Sequence, residues 1–288
     1  MGGLVPEACA TVTNRPEFSS SCPASSIEVY HARYSDIICR CGSSSDINSP
    51  GALAEGLGRI PPNARKEIRV LMNLKDPDNN NNDCYGFADW PTCGIFVVGN
   101  CWSHHQAAFI HEAAHVIDFK LHLGARVNYH GLDSFLGART WSEGPIFTNA
   151  TKANKCVVDN YAKTGTTASG RPGGIPCPCD REQGLIVSSW RIGYPDAFAQ
   201  LAVVAVWNMY IGPFTEINEL LWTTTGCLDH QLAATEDIFN RYFQRGATDC
   251  SLNTLEDVNY VRVNPETGAV SRPFHVKVSD LEKKPILI

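Results

Sequence analysis

Twelve cysteines run from one end of this chain to the other, and two pairs are spaced C-x-C: Cys39/Cys41 and Cys177/Cys179. No other feature restricts the possible folds so strongly. Structural zinc sites draw on C-x-x-C pairs, which are missing. An even set of scattered cysteines instead makes a disulfide framework in an oxidising compartment. The expectation is a disulfide-rich secreted protein whose pairing the spacing does not fix. The sequon Asn149-Ala150-Thr151 fits that compartment and marks Asn149 for glycosylation. The opening MGGLVPEACA has neither a basic nor an apolar stretch. The expectation there is a mature chain whose leader has been removed, with Met1 added for expression.

The 288 residues suffice for one large domain or two lobes around a cleft. With 43% hydrophobic residues a sizeable core forms. No apolar run reaches the ~18 residues that a membrane span needs. The nearest, AFAQLAVVAVW at 197–207, is too short and reads as a buried helix. A net charge of −6 without a basic patch argues against nucleic acid as a partner.

Along the chain, residues 1–60 are rich in Ser, Pro, Gly and Cys and read as loops and short strands. Residues 66–74 (KEIRVLMNL) and 94–99 (GIFVVG) read as strands. DPDNNNND at 76–83 begins like a calcium loop, but Asn81 and Phe87 stand where such a loop needs Gly and Glu, so it reads as solvated. Apolar spacing predicts a helix over 103–122, with Gly124 as its C-cap. Residues 125–155 read as irregular and 163–189 as an inserted, cysteine-bearing loop. Two further helices are predicted over 195–211, with Pro195 in its first turn, and over 235–245. A terminal hairpin turns at 264–268.

The helix over 103–122 carries the chemistry. It holds H-E-x-x-H as His111, Glu112 and His115. Residues four apart fall about 40° from alignment on a helix, so both imidazoles reach one ion. Glu112 is turned aside, which suits a general base rather than a ligand. Zinc lowers the pKa of water to about 7, and a carboxylate beside it takes the proton as the nucleophile attacks a carbonyl. A plain helix with two histidines is the alternative, and the strand closely preceding the motif argues for a site.

Zinc needs a third protein ligand. The extended form H-E-x-x-H-x-x-G-x-x-H is absent, because Asp118 and Leu121 occupy its glycine and last histidine positions. Asp118 shares the face of His115 but lies about a turn along the axis, so it suits orienting an imidazole from behind. His122 reads as structural, and His104 and His105 as exposed or capping. The remaining route is a carboxylate from a second helix.

The segment Tyr161-Ala162-Lys163-Thr164, followed by Asp196-Ala197-Phe198-Ala199-Gln200, bears on that ligand. With H-E-x-x-H, this order resembles zincin peptidases whose third ligand opens a helix of the form (E/D)-x-F-A-(E/Q), a lethal-factor-like arrangement. It is most similar to secreted fungal proteins of the conidiation-specific type, over residues of about 95 to 210. The resemblance implies Asp196 as third ligand and Tyr161 as an oxyanion donor. Two departures stand out. Asp replaces the usual Glu, and the insertion separates Tyr161 from Asp196. Tyr194, just before the helix, is the other candidate donor.

The expectation is therefore an α+β, zincin-like fold in a single catalytic domain over residues 1–288. An N-terminal lobe (1–124) would hold a twisted sheet and the histidine helix, and a mostly helical C-terminal lobe (125–288) would supply Asp196. The activity expected is that of a secreted, monomeric endopeptidase with one Zn2+ per chain. Its peptide substrate would pair with the strand Gly94, Ile95, Phe96, Val97, Val98 and Gly99. A catalytically silent zincin-like binding protein and a zinc hydrolase of a non-peptide amide or ester are the competing readings. The intact Glu112 favours an enzyme.

Overall fold

The computed structural model describes residues 3–31, 37–42, 45–76, 85–89, 92–100, 106–128, 138–153, 165–166, 172–173, 194–211, 229–244 and 259–275. The architecture is α+β. Two compact units share it: Met1–Val116 with Ala247–Ile288, and Ile117–Gly246.

The first unit begins with β1 (Gly3–Pro6), α1 (Glu7–Val12) and α2 (Pro16–Ser19), followed by β2 (Glu28–His31) and β3 (Ile37–Cys41). Strand β3 explains the first C-x-C pair. Alternate residues of a strand share a face, so Cys39 and Cys41 project together. Cys39 bonds Cys9 of α1 and Cys41 bonds Cys22, with Cα–Cα distances of 6.4 and 5.5 Å. Each link removes freedom from the unfolded chain and contributes about 2–4 kcal/mol.

From β3 the chain crosses through α3 (Pro50–Arg59) and α4 (Pro62–Arg65) to β4 (Val70–Leu74), then enters the hairpin of β5 (Tyr85–Asp89) and β6 (Gly94–Val98). The sheet order is β2-β3-β4-β6-β5. β3, β4 and β6 are mutually parallel, and the outer strands β2 and β5 are antiparallel to their neighbours. Parallel strands are covered on both faces, and these three are buried at every residue. One face carries Ile37, Cys39, Cys41, Met72, Leu74 and Phe96 into a core shared with Cys9, Val12 and Phe18. The terminal strands β9 (Asn259–Val263) and β10 (Phe274–His275) complete that core. β9 pairs with β1 on one side and β10 on the other. Their turn closes with Gly268 at φ 69°, where glycine is favoured.

After β6 comes the long helix α5 (Gln106–Asn128), which continues into the second unit. There a 3₁₀ turn (Trp141–Glu143) leads to α6 (Pro145–Ala153), α7 (Tyr194–Tyr210) and α8 (Asp229–Phe243). Two two-residue strands, β7 (Gly165–Thr166) and β8 (Pro172–Gly173), pair within the 163–189 segment. The helical core is aromatic. Phe198 meets Trp141, Phe147 and Phe239 at ring-centroid distances of 5.7, 6.0 and 5.3 Å. Such tilted pairs add roughly 0.5–1.5 kcal/mol each beyond area burial. No helix among the described residues is long and apolar enough to cross a membrane.

Several expectations need correction. The strand Gly94–Val98 is not available to a substrate: β4 and β5 already take its two edges, so strand addition to Gly94, Ile95, Phe96, Val97 or Val98 is blocked. Among the described residues, the sheet's edges are β2 and β5. Helix α5 passes through Gly124 to Asn128, so that glycine is no C-cap. Residues 1–60 contain α3 as well as short elements, and 125–155 contain α6. The helices over 195–211 and 235–245 appear as α7 and the somewhat earlier α8.

Candidate metal centre

Helix α5 forms because its apolar residues recur at helical spacing. Phe109, Ala113, Val116 and Ile117 are all fully or almost fully buried. That places His111 and His115 one turn apart on a half-buried face, with Glu112 buried between them in sequence. The two imidazoles converge. Nε2 of His111 lies 3.2 Å from Nε2 of His115, and the rings stand at 80° to one another.

Asp196 sits in the first turn of α7, where the helix dipole favours an acid. The residues after it, Phe198 and Ala199, are buried and seat the helix in the aromatic core. Ligand atoms of His111, His115 and Asp196 all lie within 4.8 Å of one another. The three thus form a group that could hold a metal ion, and each is half-buried.

No protein family, no curated protein and no solved structure matches this chain. What the site can hold follows from its own geometry.

A tetrahedral zinc ion with Zn–N bonds of about 2.0–2.1 Å sets its ligand nitrogens about 3.3 Å apart. The histidine pair meets that edge at 3.2 Å. The ligand atom of Asp196 lies within 4.8 Å of those of both histidines. Two neutral nitrogens and one carboxylate oxygen make a three-ligand set of the kind that leaves a position for water or substrate.

Asp118 lies on α5 three residues past His115 and is fully buried. One of its oxygens accepts from the backbone N–H of Ser142 at 2.8 Å, and the other accepts from the Ser142 hydroxyl at 2.6 Å. Ser142 is also fully buried, and its Oγ lies 3.0 Å from Thr140 Oγ. The turn around it is a capping box. Thr140 receives the backbone N–H of Glu143, and Glu143 accepts from the Thr140 and Arg139 backbone N–H groups. Ser142 is absent from the residues that sequence reasoning singles out. A signal for its turn does exist in the T-x-x-E spacing of Thr140-Trp141-Ser142-Glu143, the pattern of such a box.

Among the tyrosines, Tyr194 opens α7 and packs edge-on against Phe147, with ring centroids 6.4 Å apart. Tyr161, His104 and His105 lie outside the described residues, as do Cys177 and Cys179. His122 is buried, in keeping with an internal role. Asn149 is exposed on α6.

Proposed function

We propose that this chain is a secreted zinc-dependent endopeptidase with a zincin-like site. The convergence of His111, His115 and Asp196 carries the reading. It arises from two separate helices, and the donor types and the histidine spacing suit zinc. The two disulfides of β3 support an oxidising compartment.

Bound there, a zinc ion supplies the Lewis acidity that makes water a nucleophile near neutral pH. His111, His115 and Asp196 hold the ion. Glu112 cannot ligate with its histidine neighbours from its turned position, and it acts as the base. One carboxylate oxygen takes the proton of the attacking water and hands it to the departing amine nitrogen. A phenol, Tyr194 or Tyr161, donates to the oxygen of the tetrahedral carbon. The substrate is a protein or peptide.

The test is digestion of a diverse peptide library, read by mass spectrometry, for the wild type beside Glu112→Gln. Cleavage by the wild type alone is expected, with zinc retained by both. Cleavage by both proteins would remove Glu112 from the base role. Cleavage by neither, with one zinc per chain, would favour a binding protein.

A further inference from the structure

We propose that Ser142 is a positioning residue for the metal site, holding α5 through Asp118 and α7 through its neighbour Trp141. This rests on the metal-site reading above.

The relay can be followed residue by residue. Asp118 lies just under one turn beyond His115 on one continuous helix, so whatever fixes Asp118 fixes the axial position and rotation of the histidines. Both of its oxygens are fixed by Ser142, at 2.8 and 2.6 Å. Bonds to a carboxylate are short and roughly twice as strong as neutral ones, and a fully buried carboxylate has no water to turn to. Ser142 cannot drift, because the Thr140–Glu143 capping box locks the turn that carries it. On the other side of that turn, the Trp141 ring packs edge-on against Phe198 at 5.7 Å and at a tilt against Phe147 at 6.1 Å. Phe198 lies two residues after Asp196 on α7. The turn is therefore a spacer whose two adjacent side chains grip the two helices that bear the ligands.

Metal ligands tolerate errors of only about 0.2 Å, so a spacer of this kind is felt at the ion. Removing the Ser142 hydroxyl takes away one of the two bonds that Ser142 gives to Asp118 and loosens the grip of the turn on α5. Replacing Trp141 by Phe shortens the arm that reaches Phe198. Either change shifts one ligand helix against the other without touching a ligand.

The experiment compares the wild type with Ser142→Ala, Trp141→Phe and, as a packing control, Phe243→Leu in α8. Zinc affinity is measured by chelator competition, and site geometry by the visible spectrum of the cobalt-loaded chain. Ser142→Ala and Trp141→Phe are expected to weaken zinc by about 10–100-fold and to move the cobalt bands. Phe243→Leu, although less stable, should leave both unchanged. A folded Ser142→Ala with wild-type affinity and spectrum overturns the proposal. If Ser142→Ala does not fold, Trp141→Phe decides the matter by the same criterion. A control that weakens zinc equally also overturns it, since general loosening would then suffice. A wild type that takes up no zinc overturns the metal site itself, a result distinct from failure of the spacer.

Discussion

Gly56 of α3 lies directly against the ring of Phe109 of α5, two residues before His111. A Cβ added at Gly56 would come to 2.8 Å from Phe109 Cδ2 and closer still to Cε2 and Cζ. The ring is 1% exposed and has no room to retreat. The close approach of α3 to the histidine helix thus depends on a missing side chain.

Gly56→Ala is therefore expected to destabilise the protein. Overpacking costs about 1–3 kcal/mol, and the better helix propensity of alanine returns at most about 1 kcal/mol. A net loss of about 1–2 kcal/mol should appear as a lower urea midpoint. Gly58, two residues on in the same helix, is exposed and has no atom within 4 Å of an added Cβ. Gly58→Ala should gain about 0.5–1 kcal/mol. If both variants shift the same way, packing on Phe109 does not set the approach of α3.

Asp196 faces a different constraint, its reach. The histidine pair sits at the tetrahedral edge length, whereas the carboxylate comes on a short side chain from the first turn of a separate helix. Asp196→Ala should lower zinc affinity by more than the roughly 10–100-fold that losing an outer-shell partner costs. Asp196→Glu lengthens the side chain by one methylene and should bind at least as well as the wild type. Equilibrium dialysis with a competing chelator reads both. Unchanged affinity in the alanine variant would move the third ligand elsewhere.

How far the sequence reaches is clear from particular residues. His111 and His115 are legible because helical spacing alone brings residues four apart onto one face. Asp196 is legible only through the pattern around it, since a first-turn acid is common on any helix. The C-x-C pair announces a framework, but its partners Cys9 and Cys22 depend on how α1 and α2 fold back on β3. The place of Gly94–Val98 is misjudged from sequence although the signal is present. A strand apolar at every position is covered on both faces and belongs inside a parallel sheet, whereas an edge strand tends to alternate. Helix α3 is hidden by its composition. Ser49 caps it by accepting from the Ala52 backbone N–H, and Pro50 opens it, yet three glycines mask the periodicity. Helix α5 runs past Gly124 because one glycine costs only about 1 kcal/mol. Ser142 is tied to Asp118 across 24 residues of sequence, a separation no local pattern encodes.

The first unit carries a buried group that the site does not use. Tyr260 on β9 is 1% exposed, and its hydroxyl has no hydrogen-bond partner among the described residues. Burial pushes the phenol pKa up from its ordinary value. The unfolded chain releases this proton near pH 10, whereas the folded chain holds it to higher pH. Ionisation of this group therefore leaves stability unchanged below about pH 10 and lowers it as pH rises beyond. Tyr260→Phe removes a polar atom that folding strips of water and that no described residue compensates. It should stabilise the protein by about 1 kcal/mol at neutral pH and flatten the loss of stability above pH 10. Urea unfolding at pH 7 and at a series of alkaline pH values reads both effects. A less stable phenylalanine variant would mean that the hydroxyl makes a bond worth more than its desolvation costs.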